Sequence, residues 1–322
     1  MPQILHTARY TGLPLDILKS VCPDGFTIKT LDELSYEQLL KEAVDADYFL
    51  VSGRLPIDKP VLDAAKNLKM IQRTGVGTEM LDLDEIRRRG IPVYVNAGVN
   101  ARSVAEHTVM LILAALKRLP QINKQTHEGV WKKQQVGVTC NELYGKTVGL
   151  VGMGNIGRLV ASMIQPFGCK VLYTDILRQD EETERNLGIS FCKHFEDMLP
   201  LIDILSFHCP LTKENMEILN KQSLSMMKRG AIVVNTARGK LINPSDLYDA
   251  LLSGALKAAA LDTHYEEPIM NDYQLSSLDN VILTPHIGGL SYEAFFQMLN
   301  KTMENIRLYE RKEFEDIVGT RL

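Results

Sequence analysis

The chain has 322 residues, 45% of them hydrophobic and 24% charged, with a net charge of −4. That length gives room for two domains, each with its own core. A balance this close to neutral, and slightly acidic, offers no general attraction to nucleic acid or to an anionic membrane.

In chain order, short apolar runs alternate with helical patterns. Strands are expected at 3–6, 48–51, 70–72 and 93–95, before a long helix that starts near Ala101 and runs through VAEHTVMLILAAL. Further strands are expected at 148–151, 171–173, 204–207, 232–234, 259–261 and 282–283, followed by a helix over 292–313. Alternation of this kind is the pattern of parallel α/β sheets. The stretch 109–116 is the strongest apolar run, and it is too short to span a bilayer. The first residues, MPQILHTARY, lack the basic segment and apolar core of a signal peptide. Cys22, Cys140, Cys169, Cys192 and Cys209 are scattered, odd in number and without a CxxC. Reduced thiols in a cytoplasmic protein are therefore expected, with no metal site and no disulfide frame.

The stretch from Lys146 to Asp175 is the most informative. An apolar strand enters Gly152-x-Gly154-x-x-Gly157, a helical pattern with Leu159, Val160, Met163 and Ile164 follows, and a second strand ends at Asp175. The glycines permit a tight turn, close approach of a pyrophosphate to the backbone, and close packing of helix on strand. The helix N-terminus turns free N–H groups toward the phosphates. Asp175 is placed to accept from the ribose hydroxyls and to repel a 2′-phosphate, so NAD (NADH) is expected and NADP disfavoured.

This fingerprint lies mid-chain. The fold expected is α/β, with a doubly wound, Rossmann-type NAD-binding domain over 101–288. It is inserted into a smaller, flavodoxin-like substrate domain made of 1–100 and a C-terminal return over 289–322. Two chain crossings would make a hinge with a cleft beneath it, where small-molecule sites tend to form.

Three more groups end strands at the edge where ligands bind in open α/β sheets. They are Asn235-Thr236-Ala237-Arg238-Gly239, then Asp262-Thr263-His264-Tyr265-Glu266-Glu267-Pro268, then Thr284-Pro285-His286-Ile287-Gly288-Gly289. A guanidinium can hold a carboxylate bidentately and polarise the neighbouring carbonyl. An imidazole can exchange a proton with the resulting alkoxide, and a carboxylate on its far nitrogen fixes the tautomer and favours the charged ring. Each residue also has a plainer reading: Arg238 as a surface arginine, Glu267 as a solvated acid beside Glu266, His286 as a core histidine. His107 lies on an apolar helical face and reads as structural, and His208 as cofactor wall.

With these motifs in place the chain resembles the D-isomer-specific 2-hydroxyacid dehydrogenases over nearly its whole length. The likeness rests on GKTVGLVGMGNIGR, on HCPLT at 208–212, on NTARG, LDxxxxEP and TPHIGG, on NAGVNARSVAEHT, and on GVGTEMLDL at 75–83. It implies that Arg238, Glu267 and His286 form the catalytic set. Gly152, Gly154, Asn155, Ile156 and Gly157 would meet the pyrophosphate and Asp175 the adenosine ribose. Cys209, Pro210 and Asn215 would lie on the adenine side, with Asp262 and Thr236, Ala237 and Arg238 against the nicotinamide. Val76 and Gly77 would hold the substrate carboxylate through their N–H groups. Arg54 either adds a cation to the substrate cleft or is solvated at its rim. The chain departs from the family at His264 and Tyr265, which stand where an aromatic and an acid are more usual. His264 is expected to pack or to touch cofactor.

The function implied is an NAD-dependent oxidoreductase that interconverts a small 2-oxo acid and its (R)-2-hydroxy acid. A homodimer through the cofactor domain is implied, with the helix from Ala101 and the arm containing Trp131 on that surface. The resemblance also implies no feedback by serine, because the regulatory extension of long phosphoglycerate dehydrogenases is not in this sequence. A second reading is a binding protein like the NAD-sensing C-terminal binding protein corepressors, which resemble the same family. A third, an NAD enzyme of other chemistry such as an amino-acid dehydrogenase, has nothing behind it but the shared cofactor fold.

Overall fold

A computed structural model describes residues 1–52, 55–96 and 98–321. Among these the strands are β1 (Gln3–His6), β2 (Thr27–Thr30), β3 (Tyr48–Val51), β4 (Met70–Arg73), β5 (Val93–Val95), β6 (Thr147–Val151), β7 (Lys170–Thr174), β8 (Ile189–Phe191), β9 (Ile204–Phe207), β10 (Ala231–Asn235), β11 (Leu256–Leu261), β12 (Val281–Leu283) and β13 (Thr320–Arg321). The chain divides into two compact units, Met1–Asn100 with Ser291–Leu322, and Ala101–Leu290.

In the first unit the sheet order is β13-β5-β4-β3-β1-β2. Its five parallel strands run 2-1-3-4-5, the flavodoxin-like order, and β13 pairs antiparallel with β5. Consecutive strand residues point to opposite faces. Leu5, Phe49, Val51 and Ile71 therefore join one core, while Ile4, Tyr48, Leu50 and Met70 join another. Burial on both faces explains why β3, YFLV, reads as an unbroken apolar run. The second core includes Leu299, Met303 and Ile306 from the helix Tyr292–Glu310. Ser291 starts that helix by accepting from the Ala294 N–H at 3.1 Å.

The second unit carries the order β12-β11-β10-β9-β6-β7-β8, all parallel. Counted from β6 this is 3-2-1-4-5-6 with one strand added, the Rossmann arrangement, and the order reverses between β6 and β9. The helices Ala101–Lys117 and Asn155–Ile164 cover one face. Leu111, Ile112, Leu116, Val160 and Ile164 are buried there against Val148, Leu150, Ile204 and Val234. Each fully buried Leu, Ile or Val contributes about 1.5–3 kcal/mol over leaving it exposed.

Three strands were not expected from the sequence: β2, β8 and β13. β2 lies at a sheet edge, and its residues TIKT alternate between exposed and half-buried. β8 is three residues long and also lies at an edge, and β13 is two residues long. None has an apolar run of its own, because their pairing partners define them. The C-terminal helix ends at Glu310, three residues short of the expected 313, with Arg311 as its cap.

Candidate active site

Because the strands of the second sheet are parallel, β6, β7, β9, β10, β11 and β12 deliver their following residues to one edge. Backbone bonds extend the register one step past the strands: Gly152 N to Thr174 O, His208 N to Val151 O, Asp262 N to Asn235 O and Thr284 N to Leu261 O, at 2.7–3.0 Å. The edge is ordered before any side chain acts.

The three glycines of the fingerprint do different things. Gly152 has φ 99°, and a Cβ there would meet Cys209 N at 2.7 Å. At Gly157 a Cβ would fall 2.2 Å from Gly152 O, so only a bare Cα lets the helix sit against the turn. Gly154 faces open space, with nothing within 4 Å of an added Cβ. The helix Asn155–Ile164 that starts there has no side-chain cap, which leaves its first N–H groups for an anion. Asp175 accepts from Met153 N at 2.6 Å and from Leu177 N at 3.3 Å. A carboxylate has about four acceptor positions, so it can hold the glycine turn and still accept from a ribose. The open glycine, the uncapped helix and the spare carboxylate lone pairs fit a dinucleotide.

Cys209 follows His208 beside this turn. Burial, and then the charge of Asp175, push its thiol up to about 11, so it is no nucleophile. Burial around its ring drives the half-buried His208 imidazole down to about 3 and keeps it neutral. Asn215 donates to Pro210 O at 2.8 Å and accepts from Thr212 N at 2.7 Å, closing the 209–215 loop with its side chain.

After β10, Asn235 organises the turn that bears the guanidinium. Its buried amide accepts from Ala237 N at 3.0 Å and donates to Arg238 O at 2.9 Å. Thr236 Oγ1 lies 2.9 Å from Thr108 Oγ1, which ties the turn to the long helix. Arg238 is half-buried, and its Nη1 donates to Ala237 O at 2.8 Å.

Asp262, buried beyond β11, holds the loop after β12. It accepts from Thr284 Oγ1 at 2.5 Å, Ile287 N at 2.9 Å and Gly288 N at 2.7 Å. His107 Nε2 stands 3.4 Å from the same carboxylate and 3.1 Å from Thr284 Oγ1. Burial pushes the Asp262 carboxyl up, but these bonds outweigh it and hold it at about 2. The Thr284 hydroxyl gives its proton to Asp262, so it accepts from His107, which fixes that ring as the Nε2–H form.

The loop so held carries His286, whose backbone is left-handed at φ 55°. His286 Nδ1 lies 2.7 Å from Glu267 Oε2. The other oxygen of Glu267 accepts from His264 N at 2.9 Å. The Glu267 bond raises His286 above the ordinary histidine value, opposed by burial and by the charge of Arg238. For Glu267 the balance is reversed: burial pushes up, and the His286 and His264 bonds bring it below the usual carboxylate range. With Nδ1 committed to Glu267, the proton His286 can exchange is on Nε2. His264 is buried, and its Nε2–H donates to Thr284 O at 2.9 Å, so it braces the loop from behind.

Thus Glu267 and His286 are brought into contact, while Arg238 is near enough for its charge to act on His286. Asn235, His107 and Thr284, which position these groups, were not singled out for that role by the sequence. The signal available was polar residues at strand ends and a histidine on an apolar helix. In the first unit, Val76 and Gly77 lie in the turn after β4. Arg73 Nε donates to Gly77 O at 2.6 Å and its Nη1 to Val51 O at 3.1 Å. Arg54 lies outside the described residues. Among the described residues no group of three or more His, Cys, Asp or Glu could hold a metal, and no helix is long and apolar enough to cross a membrane.

A family model described as D-isomer specific 2-hydroxyacid dehydrogenase, NAD binding domain, matches residues 109–288. A glyoxylate reductase from Thermofilum pendens is 38% identical over 308 residues, covering 95% of this chain and 90% of that protein. A D-3-phosphoglycerate dehydrogenase from Archaeoglobus fulgidus is 36% identical over 276 residues, covering 84% of this chain; the chain spans only 51% of that longer protein. Among solved structures, the NAD-dependent formate dehydrogenase of Staphylococcus aureus in complex with NAD superposes with a TM-score of 0.83 at 28% identity, covering 97% of this chain and 96% of that one.

Proposed function

The chain belongs to the D-isomer-specific 2-hydroxyacid dehydrogenases, and from that premise we propose that it reduces a small 2-oxo acid to the (R)-2-hydroxy acid, with His286 as proton donor. The observation that carries this is the 2.7 Å contact of His286 with Glu267 at the edge of the cofactor sheet. NADH, when bound, supplies the hydride. Arg238 binds the substrate carboxylate and polarises the carbonyl, as a planar guanidinium can. His286 gives the proton on Nε2 to the carbonyl oxygen. Glu267 keeps the imidazole charged and turned, and Asp262 keeps its loop in place through the Ile287 and Gly288 N–H groups. Val76 and Gly77 are, on the family resemblance, the donors to a substrate carboxylate.

The test is reduction of a panel containing glyoxylate, hydroxypyruvate, pyruvate and bulkier 2-oxo acids, followed by NADH loss across pH. Reduction needs the charged ring. Because His286 is raised, kcat/KM should stay flat at low pH and fall only as pH climbs through a value above the ordinary histidine range. Oxidation of the hydroxy acid should rise over the same interval. Glu267→Gln removes the largest cause of the shift, so the fall should move to lower pH. An unmoved profile would sink the role given to Glu267, and no turnover with any 2-oxo acid would favour the binding-protein reading.

Preference for NADH follows from Asp175. Its charge-assisted bonds to ribose are worth about 1.5–3 kcal/mol, so Asp175→Ala should shift the NADH-to-NADPH ratio of kcat/KM by roughly 10- to 100-fold toward NADPH. Equal rates with both cofactors in the wild type would count against this use of the acid. The protein is further read as a cytoplasmic homodimer through the cofactor unit. Leu119, Trp131 and Val138 support the dimer, being apolar and 55%, 81% and 85% exposed on one segment.

A further inference from the structure

At the opposite end of β11 from Asp262, a cavity of about 350 Å³ lies within the second unit. Lys257 and Asp262 are five residue steps apart along β11, roughly 17 Å of extended chain, so the cavity is remote from the edge that carries the glycine turn and His286. Ala115, Ala258 and Ile282 make apolar walls, and Arg118 and Lys257 supply two cations. No carboxylate lines it, and among the described residues neither cation makes an ion pair.

Both cations are held in place by neutral groups. Arg118 follows the helix Ala101–Lys117 with a left-handed backbone, φ 53°, and its Nη1 donates to Thr139 Oγ1 at 3.0 Å. Lys257 Nζ donates to Thr139 O at 2.7 Å and to Asn141 Oδ1. An ammonium has three donors and a guanidinium five, so donors are left over on each. Burial, and then the charges of Arg118 and Lys146 (Cys140 acting the other way), hold Lys257 below its ordinary value. Two cations are thus gathered here with no carboxylate among the lining residues. Two fixed like charges with spare donors around one cavity form a receptor for negative charge.

We propose that this cavity binds a small oxyanion, a carboxylate or a phosphate, between Arg118 and Lys257, as a site separate from the cofactor and catalytic edge. The test is calorimetric titration of the full-length, NADH-saturated protein with inorganic phosphate and, separately, with benzoate. One or both should bind saturably; phosphate alone assigns the site to phosphates, benzoate alone to apolar carboxylates, and both to oxyanions in general. Arg118→Gln and Lys257→Gln should each weaken binding about tenfold or more. Arg238→Gln, which alters the catalytic edge, should leave it unchanged. If Lys257→Gln does not fold, Arg118→Gln decides alone, since Arg118 contributes a single hydrogen bond of the network around Thr139. The proposal is overturned if neither anion gives saturable heat, or if binding survives both cavity substitutions and is lost with Arg238→Gln.

Discussion

Replacing His286 by asparagine should lower kcat for 2-oxo acid reduction by about 10²- to 10⁴-fold, the usual contribution of a positioned general acid. Asparagine is the informative choice because His286 sits at φ 55°, a region that asparagine adopts at little cost. The loop itself is held by Asp262 through the Ile287 and Gly288 N–H groups, and by His286 N on Thr284 O at 3.0 Å. None of those bonds uses the imidazole, so fold and NADH affinity should persist. The split between quantities is therefore sharp: kcat collapses while NADH binding, read by fluorescence titration, stays near wild type. The pH dependence left by His286 should also vanish. A variant that kept wild-type turnover would remove His286 from the chemistry, and one that lost NADH binding as well would place it in cofactor support.

The sequence shows this site unevenly, for physical reasons. Gly152, Gly154, Gly157 and Asp175 lie in one βαβ unit, where local spacing fixes three-dimensional placement, so their positions at the turn and strand end could be read directly. Strand ends at Arg238, Asp262 and His286 were legible because β10, β11 and β12 are bounded apolar runs, and parallel order sends all their ends to one edge. Contacts across that edge are another matter. That Asp262 bonds the N–H groups of residues 287 and 288, and not a ligand alone, depends on β11 and β12 being neighbours in register, Leu261 opposite Leu283. His107 looked structural because its helix is apolar around it, yet its ring reaches Thr284 and Asp262. His264 shows the opposite case. It lies two residues from Asp262 and three from Glu267 in the chain, but packing turns its ring to Thr284 O while its backbone N–H serves Glu267.

That dependence on close backbone approach makes Gly239→Ala the more damaging of two kinds of small change. A Cβ on Gly239 would fall 1.9 Å from the carbonyl carbon and oxygen of His264 and 2.5 Å from Tyr265 N. All three are backbone atoms, so no rotamer change can relieve the clash. The turn bearing Arg238 and the segment bearing Glu267 would have to separate. Overpacking of this kind costs about 1–3 kcal/mol or more, which for a unit this size lowers Tm by about 2–4 °C per kcal/mol. The activity loss should be larger than stability alone explains, because a displacement near 1 Å of a catalytic group can cost roughly 10²-fold. Gly137→Ala is the control: nothing lies within 4 Å of its new methyl, and its Tm should be that of the wild type or higher. Calorimetry and kcat measured together separate the effects. If Gly239→Ala kept both Tm and turnover, the two segments could part freely, and the rigid coupling of Arg238 to the His264–Glu267 backbone would be wrong.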